Sequence, residues 1–344
     1  MGKKRIEWLD DTKGFGICMI MLAHISQYFP PLSPLHKYIC SFHVVIFFIV
    51  AGYLAGVKRD SAINIKRRSK ELLIPYIVFS IVNSAVKIGV LVLQGGLTKE
   101  IIRNELKELL ITGNGTVWFL LCLYLVEIIF RLLCKVGISD NITWVCSMLL
   151  MVAMYLWKTP ENPFVIVVCR VAVGMGYYSI GFFLHKTNIK DLIPAVGGVV
   201  LLLTGVVIEV WIGCETNFFD GIYKHPFSSI LSAVATCIGY MLVFMKLEKS
   251  GKLIGMRKFL NYFGRNSLII MVIHPLVLQV VMYPLGGSLV SLQGIKAVMT
   301  GMVIFLLLVA AEIPFITIIN RYFPIVLGRS RVSIDGKNYV QQNG

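Results

Sequence analysis

The chain has 344 residues, of which 57% are hydrophobic and only 15% charged, and its mean hydropathy is +0.78. This composition is too apolar for a soluble domain and places the protein in a membrane. The formal net charge of +15 suits contact with anionic membrane lipids, so it gives no reason to expect a nucleic-acid partner.

Ten mainly apolar stretches follow one another along the chain. Each has roughly 15–25 residues, about the length at which a helix crosses a ~30 Å bilayer core that satisfies no backbone polar groups. The sequence therefore predicts an all-α polytopic integral membrane helical bundle of about ten transmembrane helices. It forms one domain over residues 1–320 with a short cytoplasmic tail over residues 321–344. The predicted spans are 14–29, 38–57, 72–94, 116–134, 142–157, 164–185, 192–213, 226–245, 267–285 and 295–319.

Lysine and arginine residues concentrate in every second gap between these spans. With a cytoplasmic N-terminus, 24 of the 33 basic residues fall on the inner side, as the positive-inside rule requires. We therefore expect both termini to be cytoplasmic, in a multi-pass protein of the cell membrane, either a bacterial inner membrane or a plasma membrane.

Three of the six histidines lie in the interior of predicted spans, namely His24, His43 and His274. Lys13 precedes His24 by three helical turns plus about 20°, so the two share one face with ~16 Å between them along the axis. Any single histidine here is most simply an interior residue with its hydrogen bonds satisfied. Three buried imidazoles, however, are costly without a purpose and favour a shared polar site.

Other ionisable residues also fall within the spans. Arg170 and Glu209 are expected at similar depth, so they are candidates for a structural ion pair or for binding an acceptor substrate. Glu127 and Glu312 lie deeper and are interpreted as partners in helix-packing hydrogen bonds.

The gaps between spans and the cysteines add two further expectations. In residues 95–115, apolar and charged positions alternate with the spacing of a short amphipathic helix on the outer leaflet. The cysteines lie mostly in or at the ends of apolar stretches, with only Cys40 and Cys214 near the outer face and no CxxC motif. We therefore predict free packed thiols, with neither a disulfide nor a metal site.

Five short motifs, in order along nearly the whole chain, resemble the membrane acyltransferase 3 family, including its fucose O-acetylase-like branch. They are Leu9-Asp10-Asp11-Thr12-Lys13-Gly14 ending in His24, the FHxxxFFxxAGY segment of Phe42–Tyr53, Leu72-Leu73-Ile74-Pro75-Tyr76, Trp118-Phe119-Leu120, and Ile273-His274-Pro275.

The resemblance implies transfer of an acyl group, commonly acetyl from cytoplasmic acetyl-CoA, to a hydroxyl of a carbohydrate such as a cell-envelope polysaccharide or lipid-linked glycan. No permanently bound cofactor is implied. In the family's first helix an arginine precedes the histidine by the same interval, whereas Lys13 here keeps the charge but loses bidentate phosphate recognition. Ala51 stands where the family often has serine, so no nucleophile is expected there.

The catalytic residues that we predict are the three histidines. Imidazole supplies a base near neutral pH, so His24 is the expected base or the residue that transiently carries the acyl group. His43 or His274 would orient or replace it. Residues expected to bind the acceptor are Trp118, Arg170 and Glu209.

The phosphates of coenzyme A require cations on the cytoplasmic side. Lys13 is one candidate, and Arg67, Arg68 and Lys70, which stand where the family has an RxxR pattern, are the others. A solvated loop that obeys only the positive-inside rule is the alternative reading of the last three.

A transporter or flippase is the competing class. Intramembrane His, Glu and Arg also build proton relays and substrate paths, and ten spans suit a carrier equally well. Paired glycine-broken helices would favour that class, but Gly174, Gly176 and Gly181 have no counterpart in the other half of the chain. A receptor or scaffold would not need three buried histidines.

Overall fold

The computed structural model describes residues 5–57, 65–93, 95–96, 98–157, 162–188, 195–213, 216–282, 289 and 292–329. Within these ranges the chain forms helices and one short antiparallel pair of strands, β1 (Thr216–Asn217) and β2 (Ile222–Tyr223). The α-helices are α1 (Glu7–Ser26), α2 (Ser33–Phe42), α3 (Val45–Val57), α4 (Ile65–Leu93), α5 (Lys99–Lys107), α6 (Trp118–Lys135), α7 (Asp140–Leu156), α8 (Pro163–Lys186), α9 (Ala195–Ile212), α10 (Pro226–Ser250), α11 (Ile254–Arg265), α12 (Ser267–Met282) and α13 (Gly294–Tyr322).

The predicted all-α membrane architecture agrees with these elements, and each of the ten predicted spans overlaps a helix. In the part of the chain that the structure describes, five helical segments are long and apolar enough to cross a membrane, and a sixth qualifies if α11 and α12, bent by 84°, form one broken span. The five are Pro30–Val57, which contains α2 and α3, then α4, α8, α10 and α13. The count of ten spans, the cytoplasmic termini and the division at residue 320 therefore stay predictions, and 330–344 lie outside the described ranges.

Helix α1 crosses α11 at very short range because both helices carry glycine at the crossing point. A Cβ on Gly14 would overlap the carbonyl of Leu260, and a Cβ on Gly264 would overlap the carbonyl of Asp10. Small residues allow helix backbones to approach closely in membranes, where burial alone gives little driving force. This crossing holds the start of α1 against the amphipathic helix α11.

A second close crossing joins α3 and α8. A Cβ on Gly52 would overlap the Tyr178 carbonyl, and one on Gly181 would overlap the carbonyl of Ile49. The apolar side chains around both crossings belong to one buried cluster, which includes the fully buried Phe48, Tyr177 and Tyr178. Apolar residues of α1 and α12 belong to the same cluster, which therefore packs against the helices that carry the polar residues of the site.

The predicted amphipathic helix is present as α5, and its N-cap Thr98 accepts a hydrogen bond from the backbone N–H of Ile101 at 3.2 Å. It continues as a single π-helical segment, Glu108–Thr112, and Glu105 on its buried face forms an ion pair with Lys87 of α4. The structure therefore ties α5 to α4 by an ion pair.

Candidate active site

The three histidines predicted from the sequence come together between α1, the α2–α3 junction and α12. The rings of His24 and His274 are adjacent, with their centroids 5.2 Å apart, although 250 positions separate them in the sequence. His43 lies close enough to interact electrostatically with both. His274 is fully buried, whereas His24 and His43 are half-buried.

Backbone carbonyls determine which ring nitrogen carries the proton in two of these residues. Nδ1 of His43 lies 2.9 Å from the Ile39 carbonyl, and Nδ1 of His274 lies 2.7 Å from that of Ile270. A carbonyl oxygen can only accept, so each Nδ1 bears hydrogen and each Nε2 of the neutral ring presents a lone pair. Nε2 of His274 is buried and meets no hydrogen-bond partner among the described residues.

His24 differs from the other two because no described residue hydrogen-bonds to its ring, which is held by contact with His274. Neither of its nitrogens is committed to the backbone. A half-buried imidazole in this state can exchange a proton with a bound substrate, while its neighbour His274 offers only an acceptor.

A fourth histidine, which the sequence analysis did not select, belongs to the same cluster. Nδ1 of His36 lies 3.0 Å from the Ala23 carbonyl and 3.1 Å from Oγ of Ser26, and His36 interacts electrostatically with both His24 and His43. Residues 30–37 were interpreted as the gap between two spans. The structure instead has α2 folding back against the end of α1, and the only sequence signal for this was the HxxxC spacing of His36 and Cys40.

Cations collect around Asp10, at the opposite end of α1 from the histidines. Nζ of Lys13 lies 2.7 Å from Asp10 Oδ1, Arg5 binds the same carboxylate, and Arg265 of α11 approaches it to 3.9 Å. Three positive groups around one carboxylate leave a net positive surface. Lys13, which the sequence predicts as a phosphate-binding cation, therefore lies beside Arg5 and Arg265, two cations that the sequence did not single out.

The neighbouring Asp11 has a structural role. Its buried carboxylate accepts a hydrogen bond of 2.8 Å from Nε of Arg257, and Asn261 also donates to it at 3.3 Å. Both partners belong to α11. The two consecutive aspartates therefore differ in their contacts. Asp11 joins α1 to α11 through hydrogen bonds, and Asp10 forms ion pairs with the surrounding cations.

Arg68 does not lie free for phosphate binding as the sequence predicted. Its Nε and Nη2 atoms donate to the two carboxylate oxygens of Glu127, each at 2.6 Å, and Nη1 reaches Glu71 at 3.3 Å. Arg131 approaches Glu127 to 3.5 Å as well. Glu127 therefore joins α4 to α6, and its predicted role as a partner in helix-packing hydrogen bonds is confirmed, with arginine as the charged donor.

The other two cations of that segment are more accessible. Nε of Arg67 donates to Glu71 at 2.8 Å with half of its side chain exposed. Lys70 is exposed and forms no ion pair within the described residues. Lys70 therefore remains available to an anionic ligand, whereas Arg67 is paired with Glu71.

The predicted ion pair between Arg170 and Glu209 is not formed. Arg170 is buried and donates instead to backbone carbonyls, to Thr112 at 2.8 Å, to Phe218 at 3.2 Å and to Phe219. These carbonyls end the π-helical segment after α5 and begin the turn between β1 and β2. Arg170 thus fastens two chain segments to α8, and desolvation of its charge is offset by charge-assisted hydrogen bonds.

Trp118 belongs to the same arrangement, because the Arg170 guanidinium carbon lies 4.8 Å from its ring centroid. That face of the indole is therefore occupied by a cation of the protein itself. Glu209 is buried on α9 and lies near enough to Tyr38 and Cys40 to interact with them electrostatically, which places it beside α2.

Glu312 is fully buried on α13, and neither carboxylate oxygen has a hydrogen-bond partner in the described part of the chain. The hydrogen-bonded packing role predicted for it is therefore wrong.

Comparison with known families gives a single result that covers the bundle. The acyltransferase 3 family model, described as an acyltransferase domain, matches residues 6–321. This range includes all four clustered histidines and, of the cations around Asp10, Lys13 and Arg265. No curated protein and no solved structure matches the chain.

Proposed function

Since the chain belongs to the acyltransferase 3 family and is a multi-pass membrane acyltransferase, we propose that it transfers acetyl from cytoplasmic acetyl-CoA to a hydroxyl of a cell-envelope or lipid-linked carbohydrate. The observation that carries the proposal is the contact between His24 of α1 and His274 of α12, whose ring centroids are 5.2 Å apart. The other end of α1 carries the cations around Asp10. A base and an anion-binding surface on one helix are what a charged thioester donor requires.

We assign the proton transfer to His24. The acceptor hydroxyl attacks the thioester carbonyl as His24 takes its proton, and the carbon–sulfur bond then breaks to release the thiolate of CoA, which takes up a proton. Nε2 of His274 can accept a hydrogen bond from the imidazolium so formed, because its own proton lies on Nδ1. His274 is therefore the orienting partner, and general-base catalysis of this kind contributes about 10²–10⁴-fold.

The donor is proposed to bind by its phosphates at the end of α1 that carries Lys13. Lys13, Arg5 and Arg265 surround Asp10, so their combined charge exceeds that of the carboxylate. A phosphate needs such charge-assisted donors. The span of ~16 Å along α1 from Lys13 to His24 is then bridged by the pantetheine arm of the donor.

On the acceptor side we propose Glu209, because it lies beside α2 and close to the histidine cluster. Arg170 and Trp118, by contrast, act on the acceptor indirectly. They hold in place the segment after α5 and the β1–β2 turn.

The test uses purified protein in detergent with radiolabelled acetyl-CoA and a soluble sugar analogue. Acyl transfer that is lost in His24→Ala but retained in a surface variant such as Cys146→Ala supports the enzyme, since chemistry at a site needs no sealed membrane. In cells, glycans of a deletion strain should lack the mass of one acetyl group at the modified position. Absence of transfer in detergent, together with pH-dependent movement of substrate into proteoliposomes, would establish the carrier instead.

A further inference from the structure

Cys40 and His36 lie one helical turn apart on α2, inside the histidine cluster. Sγ of Cys40 is 3.5 Å from Nε2 of His36, which is within hydrogen-bond distance for sulfur. Both side chains are half-buried, so they are sheltered without being sealed. Neither Cys40 nor His36 has a role in the reaction proposed above.

The hydrogen bonds of His36 determine the direction of the contact with sulfur. Nδ1 lies 3.0 Å from the Ala23 carbonyl, which can only accept, so Nδ1 carries the proton of the neutral ring. Nε2 therefore presents its lone pair to Cys40, and the thiol is the donor. Oγ of Ser26, at 3.1 Å from the same Nδ1 and itself 2.9 Å from the Ala23 carbonyl, completes the contacts that hold the ring.

This arrangement has the three parts of an activated nucleophile: a thiol, a base in hydrogen-bond contact with it, and a group that orients the base. Glu209 lies near enough to Cys40 to interact electrostatically. The Cys40 proton must leave as the sulfur attacks the acyl donor. His36 supplies the acceptor for that proton.

A second observation points to a ligand at this cluster. Nε2 of His274 is buried and without a hydrogen-bond partner in the described residues, and its ring contacts His24. His24 in turn interacts electrostatically with His36. An unpaired buried acceptor is costly unless a ligand supplies a donor, and the hydroxyl of an acceptor substrate is such a donor.

We propose that Cys40 carries the acyl group as a thioester between donor and acceptor, with His36 as its base. The inference rests on the proposed function, since it requires an acyl-CoA donor. In the first half-reaction the Cys40 proton passes to Nε2 of His36, the sulfur bonds to the acyl carbon, the bond from that carbon to the CoA sulfur breaks, and the CoA thiolate takes up a proton. One thioester replaces another, so the acyl group stays activated.

In the second half-reaction the acceptor hydroxyl attacks the Cys40 thioester while His24 takes its proton. The bond between the acyl carbon and Sγ breaks, and the departing thiolate of Cys40 recovers its proton from His36. CoA can therefore leave before the acceptor binds. Division into two steps suits a protein whose donor and acceptor approach from opposite sides of a membrane.

Exchange of label between free CoA and acetyl-CoA, measured without any acceptor, tests this relay in the full-length protein in detergent. A covalent intermediate permits exchange, whereas direct transfer to the acceptor does not. We expect exchange in the wild type and in Cys146→Ala, which removes an exposed thiol of α7. Cys40→Ala should lower it at least about 100-fold, and His36→Gln by about 10²–10⁴-fold.

Two measurements keep the test independent of misfolding. The thermal transition of each variant in detergent checks its fold, and peptide mass spectrometry after an acid quench locates the acyl group. A hydroxylamine-labile acyl group on Cys40 of the wild type supports the relay.

The outcomes separate the relay from the proposed function. Transfer to a sugar analogue by the wild type without CoA exchange, or at an undiminished rate by folded Cys40→Ala, overturns the relay and leaves the acyltransferase intact. An acyl group found on His24 instead also overturns it. If the wild type neither exchanges CoA nor acylates any acceptor, the proposed function fails and the relay fails with it.

Discussion

The ion pair between Arg68 and Glu127 predicts that Arg68 acts on stability and not on donor binding. Arg68 donates twice to Glu127 at 2.6 Å, and the Glu127 side chain is only 4% exposed. Changing Arg68→Met removes the charge and keeps most of the side-chain volume. The carboxylate of Glu127 is then left buried with Arg131, 3.5 Å away, as its remaining cation.

The magnitude follows from the burial of the two partners. Removing one member of a buried ion pair costs about 3–5 kcal/mol. Because the Arg68 side chain is 29% exposed and Arg131 remains, we expect the lower end, about 3 kcal/mol. Replacing both partners by methionine should recover only part of the loss, since Arg131 is then left without the Glu127 carboxylate.

The assay is thermal denaturation in detergent, followed by size-exclusion chromatography, with the KM for acetyl-CoA measured on the same preparations. Lys70→Met is the matched control, because Lys70 lies on the same helix, is exposed and forms no ion pair in the described part of the chain. It should leave the transition temperature unchanged. An Arg68→Met protein as stable as the wild type, with a KM for the donor raised tenfold, would show that Arg68 is a phosphate ligand after all.

Three other outcomes are expected. His24→Ala should abolish acyl transfer while membrane insertion, measured by the yield of monodisperse protein, stays normal; wild-type glycan acylation in such a strain would refute the assignment. Lys13→Met should raise the KM for acetyl-CoA about tenfold with little change in kcat, because contacts to phosphate act mainly in ground-state binding. Initial rates measured over a range of acetyl-CoA concentrations test this. Gly264→Ala should destabilise the protein by about 1–3 kcal/mol or more, since its Cβ would overlap the Asp10 carbonyl, whereas Gly255→Ala on the same helix meets nothing within 4 Å and should have no effect.

The histidine cluster could be predicted from the sequence only in part. His24 and His274 were selected because ionisable groups inside apolar spans are costly, and the structure does place their rings side by side. Which residues would join them was not visible. His36 lies in a stretch that reads as a loop, and only the folding of α2 against the end of α1 brings it to Ser26 and Cys40.

Charge partners were harder to predict than the charges themselves. Arg170 and Glu209 were paired because they share an expected depth, but depth along a helix says nothing about the direction in which a side chain points around the bundle. Arg170 faces the backbone carbonyls of Thr112 and Phe218, which lie 58 and 48 positions away. Backbone acceptors are present at every residue, so the sequence carries no signal for them.

The sequence by itself determined that this is a helical membrane protein. Its apolar runs are of span length and it carries few charged residues. Its ordered motifs also indicated the acyltransferase family, and the helical pitch placed Lys13 and His24 on one face of the first helix. Tertiary structure alone decided which charges form ion pairs, as with Arg68 and Glu127, and which are exposed without one in the described part of the chain, as with Lys70. The physical reason is that spacing along a helix follows from its pitch, whereas contact between helices depends on how their surfaces pack, and glycines such as Gly264 determine that packing only once both partners are in place.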